Sequence, residues 1–362
     1  MSNQNKEQRK LTRKSFVKLD DNITLLDYKN NYDVDKIINS GVSNMVELVT
    51  HIVNAGKTGF ACSSFDAFTP EGDHTLARNF DFRVAPCLVL WTHPDGHYAS
   101  LSVVDANFLT YGEKHHKFNN KRTAELLLAP YCCVDGINEK GLSIAVLQIK
   151  AKATKQNDKS KLNITTTAMI RCVLDTCATV DEAVEFIKSY NMHDSLFCCY
   201  HYQLADASGR TVIVEYIDNV LHVYEKGEYG IAGSVYEDDD LNLLYAANYS
   251  LTKDIGNFKI EQHGEDRTDA IKKVLKEKNG TLTELESMDL LNYVRLDYDH
   301  PTYPWRIEAL WSAVYNSNKQ TLKLVAHTDY KKVYTFSVDR PCEVLNRESI
   351  EKSAYEYTEW SY

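Results

Sequence analysis

From Phe60 onward the apolar pattern is mostly that of strands. "HTLARNFDF" (74–82), "CLVLWTHP" (87–94) and "YASLSVVD" (98–105) follow in series between Gly and Pro turns, which predicts consecutive strands. "DGINEKGLSIAVL" (135–147) reads as a turn feeding another strand. "YHYQLADASGRTVIVEY" (200–216) reads as a hairpin about its "ASGR" turn. The chain closes with "ALWSAVYNSNKQTLKLVAH" (309–327) and "KVYTFSV" (332–338), which read as a hairpin pair.

Helical spacing interrupts this series. Over 34–55, apolar Ile38, Val42, Met45, Val49 and Ile52 share one face. "TTTAMIRCVLDTCAT" (165–179) is amphipathic, and Thr179 with Glu182 forms a capping-box signature for the helix that follows. "RTDAIKKVLKEK" (267–278) and "TELESMDLLNYV" (283–294) complete the set. Residues 1–20 are polar and basic and are expected to be disordered. Two charged stretches, 151–161 and 234–242, are expected to be loops, and no repeat is present. Strands and helices alternating in blocks predict an α+β fold, with helices layered on largely antiparallel sheets.

Composition narrows the function classes. The chain has 362 residues, 43% hydrophobic and 25% charged, with a net charge of −10. That balance argues against a nucleic-acid partner, which calls for a basic face. Runs such as "CLVLW" and "LSIAVL" are far below the roughly 18 residues of a membrane span, and the polar start has no apolar signal-peptide core. A cytoplasmic protein is expected. The nine scattered cysteines form neither a disulfide framework nor a zinc pattern. Most are expected to be reduced, buried small hydrophobes. His115-His116 and His201 have no carboxylate or Cys at ligand spacing, so no metal site is expected. The sequence is compatible with assembly into a homo-oligomer.

Cys62 has a different setting. The strand it opens, the "TPEGD" turn (69–73) and the returning 75–82 segment would bring Arg78 and Asp81 beside it. No histidine stands in a papain-like relation to it. A different base becomes available if the bond before Cys62 is broken, because its own α-amine, with a pKa of about 7.7–8, then lies within the same residue. Arg78 would favour the thiolate, and Asp81 would hold the amine by a charge-assisted hydrogen bond. The bland alternative is a packed cysteine beside a strand-end ion pair.

The stretch resembles the nucleophile hairpin of the choloylglycine-hydrolase and acid-ceramidase superfamily of linear amide C–N hydrolases. That pattern is a Cys, a turn, then "GRNxD". Here Arg78 and Asp81 follow Cys62 by 16 and 19 positions, with Ala77 in place of the Gly. "DGINEKGLSIAVLQ" (135–148), "AANYS" (246–250), "GEDRTDAI" (264–271) and "LWSAVYN" (310–316) resemble further family segments in the same order. The resemblance implies an N-terminal-nucleophile αββα sandwich. It also implies self-cleavage at Ala61–Cys62, so that residues 1–61 are a prosegment and 62–362 a single hydrolase domain.

The site roles that the resemblance implies fall on Cys62 as nucleophile, with Arg78, Asp81 and a second arginine, Arg267, around it. Asn248 would donate to an oxyanion, together with the backbone N–H at Gln148. Bile-salt hydrolases carry Asn where this chain has Gln148, and the family's "TN" is "AN" here. No cofactor is implied, and the partner would be a small N-acyl amide. Asn138 is expected to be a turn residue, and Trp311 and Tyr315 core residues. Four readings compete: an amide hydrolase, an acyltransferase passing the acyl group to an amine, an inactive binding protein of the same fold, and a papain-type protease. The set of Cys62, Arg78, Asp81 and Asn248 disfavours the third. The missing Cys–His–Asn context disfavours the fourth.

Overall fold

The computed structural model describes residues 3–42, 61–109, 126–195, 198–225, 243–252, 264–299, 306–339 and 342–347. Two large sheets organise them. The first has nine strands in the order Val17–Lys18, Ile23–Tyr28, Cys87–Thr92, Ser100–Asp105, Cys133–Asn138, Ser143–Ile149, Cys199–Ala205, Thr211–Ile217 and Val220–Glu225. Its neighbours are antiparallel except Ile23–Tyr28 beside Cys87–Thr92. The second runs Tyr245–Ala246, Ala61–Phe68, His74–Arg83, Arg306–Asn316, Thr321–Ala326, Lys332–Ser337 and Cys342–Asn346, with Asp297–Asp299 also on Arg306–Asn316.

The sheets face each other and helices cover both outer sides. Thr166–Thr176 and Val180–Lys188 pack on the first sheet, and Glu265–Glu277 and Glu284–Val294 on the second. This is the expected αββα sandwich. The period-two alternation of a strand divides the second sheet between two cores. Cys62, Leu76 and Phe80 belong to the cluster between the sheets. Phe65, Ala67 and Ala77 belong to the cluster beneath the Glu265–Glu277 and Glu284–Val294 helices, with Ile271, Leu275 and Leu291. Where Arg306–Asn316 meets His74–Arg83, the register shifts between Ala309 and Trp311, opposite Asp81 and Phe80. This bulge sets Trp311 against Phe80, with ring centroids 4.3 Å apart.

The N-terminal region differs from its expectation. Residues 3–14, expected to be disordered from their charge, form a helix. Ile23–Tyr28 then enters the large sheet, with Ile23 and Leu26 fully buried. The tertiary contact supplied by Cys87–Thr92 outweighs the polarity of the preceding stretch. The helix expected over 34–55 spans Val34–Ser40 among the described residues. It closes at Gly41, whose φ of +68° suits a residue without Cβ, and a Cβ there would lie 2.8 Å from the Asn163 carbonyl oxygen. Val42 lies past the helix and donates to that same carbonyl. Residues 43–60, His115-His116 and the 234–242 loop lie outside the described residues. No helix among the described residues is long and apolar enough to cross a membrane.

Candidate active site

The site begins at the hairpin of Ala61–Phe68 and His74–Arg83. Its register places Cys62 opposite Phe80 and Ser64 opposite Arg78. Cys62 and Arg78 therefore share the face toward the other sheet, and Arg78 Nη2 donates to Cys62 Sγ at 3.3 Å. The same nitrogen donates to the Val146 carbonyl at 2.9 Å. Nη1 is paired with Asp135, and the guanidinium carbon lies 5.0 Å from the centre of the Phe80 ring. Asp135 in turn accepts from Trp311 Nε1 and Tyr315 OH, both at 2.8 Å. A fully buried cation is thus held against the sulfur by a fully buried anion whose remaining capacity is taken up by two aromatic donors.

The backbone of Cys62 is gripped as firmly as its side chain. Its N–H donates to Asn248 Oδ1 at 2.8 Å, and its carbonyl accepts from Arg267 Nη1 at 2.6 Å. Arg267 Nη2 also donates to Asn248 Oδ1, at 2.7 Å. Asn248 Nδ2 donates to the Gln148 carbonyl at 2.7 Å. Two donors on Oδ1 and an acceptor at Nδ2 define the orientation of this amide. Asp81, opposite Ala61 in the hairpin, accepts from the Leu296 backbone N–H at 3.2 Å. It lies 3.5 Å from Arg267.

Burial governs the ionisation here. It pushes the Cys62 thiol up to about 11, against the pull of Arg78. A backbone hydrogen bond from Gln148 also favours the thiolate, more weakly. Burial likewise pushes the Asp81 carboxyl up to about 6, against the pull of Arg267. With the Ala61–Cys62 bond intact, burial thus favours the protonated thiol, and Cys62 is fully shielded from solvent.

All six residues singled out from the sequence meet at this point: Cys62, Arg78, Asp81, Gln148, Asn248 and Arg267. Two details add to these expectations. With the Ala61–Cys62 bond intact, the Cys62 N–H donates to Asn248; the role expected for Asp81 belongs to the free amine. The Asn248 amide is also engaged with Gln148 before any substrate arrives. Asn138 is a buried turn residue, as expected: its Oδ1 accepts from the Lys140 and Leu142 N–H groups. Trp311 and Tyr315 are core residues that also orient Asp135. Sequence reasoning missed Asp135 itself, although it opens the "DGINEKGL" segment. Its signal was a lone carboxylate inside the apolar stretch that forms strand Cys133–Asn138. No cluster of three His, Cys, Asp or Glu among the described residues could hold a metal ion.

An αββα sandwich with Cys62 and Arg78 sharing one face of a central hairpin is the architecture of the N-terminal-nucleophile hydrolases, and comparison with known proteins gives the family. Residues 62–252 match the linear amide C–N hydrolases, choloylglycine hydrolase family, so the match starts at Cys62 itself. The chain belongs to that family. It is 32% identical over 108 residues to the penicillin V acylase of Pectobacterium atrosepticum, covering 27% of this chain and 28% of that protein. It is 23% identical over 177 residues to the bile salt hydrolase/transferase of Clostridium perfringens, covering 45% and 50%. The matched stretches thus span at most half the length of these two relatives. The fold is similar to that of the conjugated bile acid hydrolase from Clostridium perfringens, at a TM-score of 0.54 and 14% identity over 81% of this chain and 99% of that one. It is also similar to that of the penicillin V acylase from Agrobacterium tumefaciens, at 0.50 and 19% over 76% and 85%.

Proposed function

We propose that this chain hydrolyses the amide bond of a small N-acyl compound, with Cys62 as an N-terminal nucleophile released by self-cleavage at Ala61–Cys62. On this reading residues 1–61 are a prosegment and 62–362 the hydrolase. The observation that carries the proposal is that sulfur and nitrogen of one residue are separately held, the sulfur by Arg78 at 3.3 Å and the nitrogen by Asn248 at 2.8 Å. A packed cysteine needs no guanidinium at its sulfur, and its buried backbone N–H, which requires a partner in any fold, is here met by a side-chain amide.

Self-cleavage starts when Cys62 Sγ attacks the Ala61 carbonyl carbon. The Ala61–Cys62 C–N bond breaks, the thiol proton passes to the departing nitrogen, and the acyl group moves to sulfur as a thioester. Water then cleaves the thioester, leaving a carboxylate on Ala61 and a free α-amine on Cys62. In turnover that amine takes the thiol proton, as general base, while sulfur attacks the substrate carbonyl. The Asn248 amide has two N–H bonds. One is given to Gln148 O in the uncleaved chain, and in turnover the amide would donate to the oxyanion. With the Gln148 backbone N–H, each such donor is worth roughly 3–4 kcal/mol. The ammonium then gives its proton to the departing amine, and water hydrolyses the acyl-enzyme.

A second reading keeps the same thioester and replaces water by an amine, giving an acyltransferase. The relative named bile salt hydrolase/transferase gives this alternative a specific basis. Intact-mass measurement is the test. The wild-type chain is expected as two pieces divided at 61/62, and Cys62→Ala as one. Penicillin V, bile-acid conjugates and N-acyl amino acids, each with and without added amine, then report hydrolysis or transfer. A full-length wild-type chain with full turnover would overturn the processing scheme.

A further inference from the structure

Asn248 orients the nitrogen of the nucleophile, so the residue that orients Asn248 bears on the chemistry. Asn248 stands just past the two-residue strand Tyr245–Ala246, at the start of a turn running to Thr252. A single side chain from the other sheet gathers the donors of that turn. Glu215, fully buried in strand Thr211–Ile217, accepts from Ser250 Oγ at 2.8 Å, Thr252 N at 2.7 Å and Thr252 Oγ1 at 2.5 Å on Oε1. Its Oε2 accepts from the Leu251 backbone N–H at 3.1 Å. Two consecutive backbone N–H groups and two hydroxyls thus close on one carboxylate, an anion-binding concavity made by the turn itself.

The strand register adds support from both sides. His201 and His222 are the direct cross-strand neighbours of Glu215, so all three share one face. His201 Nδ1 lies 3.5 Å from the carboxylate. Burial opposes the charge on Glu215, yet the nearby His201 ring and the bonds from Thr252 and Ser250 hold the carboxyl below its ordinary range.

We propose that Glu215 is a positioning residue of this site: its carboxylate folds the Ser250–Thr252 turn so that the Asn248 amide meets the Cys62 nitrogen. The inference rests on the role proposed above for Asn248. Glu215 touches none of the reacting atoms. Its chemistry is nonetheless specific. An amide in its place has one acceptor oxygen, and its NH₂ would meet the N–H of Leu251 or Thr252, donor against donor.

The test reads the Cys62–Asn248 bond directly, in the full chain carrying Cys62→Ala, which stays uncleaved. Residue-resolved hydrogen exchange at the amide of position 62 is expected to quicken about tenfold on adding Glu215→Gln, the scale of one lost charged hydrogen bond. Asn248→Ala is expected to do the same, and the double variant is expected to exchange no faster than Asn248→Ala alone. Glu215→Asp, which keeps the charge, is expected to recover part of the protection. Ser250→Ala, which removes one donor and spares the buried charge, is expected to give a smaller quickening and decides the matter if Glu215→Gln does not fold. Unchanged exchange at position 62 in these variants would overturn the proposal, as would a double variant in which the two effects simply add. With Cys62 restored, Glu215→Gln is expected to slow the appearance of the cleaved chain. A wild-type chain that never cleaves would overturn the processing scheme and leave the exchange result standing.

Discussion

Arg78 Nη2 donates to the sulfur of Cys62 at 3.3 Å from the facing strand of the same hairpin. The guanidinium is the largest influence opposing the burial that raises the thiol to about 11. Arg78→Ala is therefore expected to move the thiol further up. The midpoint of iodoacetamide alkylation in the processed protein should rise by about 1–3 pH units, with the circular dichroism spectrum kept. An unchanged midpoint would reduce Arg78 to a packing residue.

Asp81 carries a pH signature of its own. Its folded pKa is near 6, because burial disfavours the carboxylate, whereas an unfolded Asp titrates at about 3.9. Between these values the folded chain keeps a proton that the unfolded chain has lost. Its contribution to stability is present at low pH and declines as pH rises through that window, by on the order of 2–3 kcal/mol. Asp81→Asn has no such proton. The stability difference, wild type minus variant, should fall between about pH 4 and pH 7 in urea denaturation. A difference that climbs with pH would mean that Arg267 outweighs burial.

Gly264 sits at the start of the helix that carries Arg267, with φ at +94°. A Cβ there would lie 2.4 Å from Arg267 Nη2 and 2.9 Å from the Ala247 Cβ. Gly264→Ala should push the guanidinium away from Asn248 and the Cys62 carbonyl. We expect self-cleavage to slow at least as much as in Arg267→Ala, with a stability loss of about 1–3 kcal/mol from the strained backbone. Normal cleavage in Gly264→Ala would show that Arg267 is dispensable.

The N-terminal segment should outlast its own peptide bond. Ile23–Tyr28 pairs along its whole length with Cys87–Thr92. Tyr32 OH donates to the buried Asp175 at 2.8 Å, and Tyr28 OH to the Leu127 carbonyl at 2.9 Å. Tyr334 OH reaches back to Asp20 at 2.5 Å. A cut at 61/62 breaks none of these. The two pieces should co-elute on native size exclusion and separate in guanidinium. Loss of the small piece under native conditions would refute the expectation.

The sequence by itself determined the elements and the hairpin. Alternation of apolar residues marked the strands, and 3.6-residue spacing marked the four helices of the outer layers. A short turn between Cys62 and Arg78 brings that pair together by local geometry, because a two-residue period puts them on one face. Tertiary structure alone decided the partners that come from elsewhere. Asp135 reaches Arg78 across 57 positions of sequence, and Asn248 reaches Cys62 across 186. Glu215 and Ile23–Tyr28 gave no local sign of their tasks. Alternation states which face of a strand is buried. Which strand lies beside it, and which polar group is thereby left needing a partner in a dry interior, follows only once the two sheets have closed on each other.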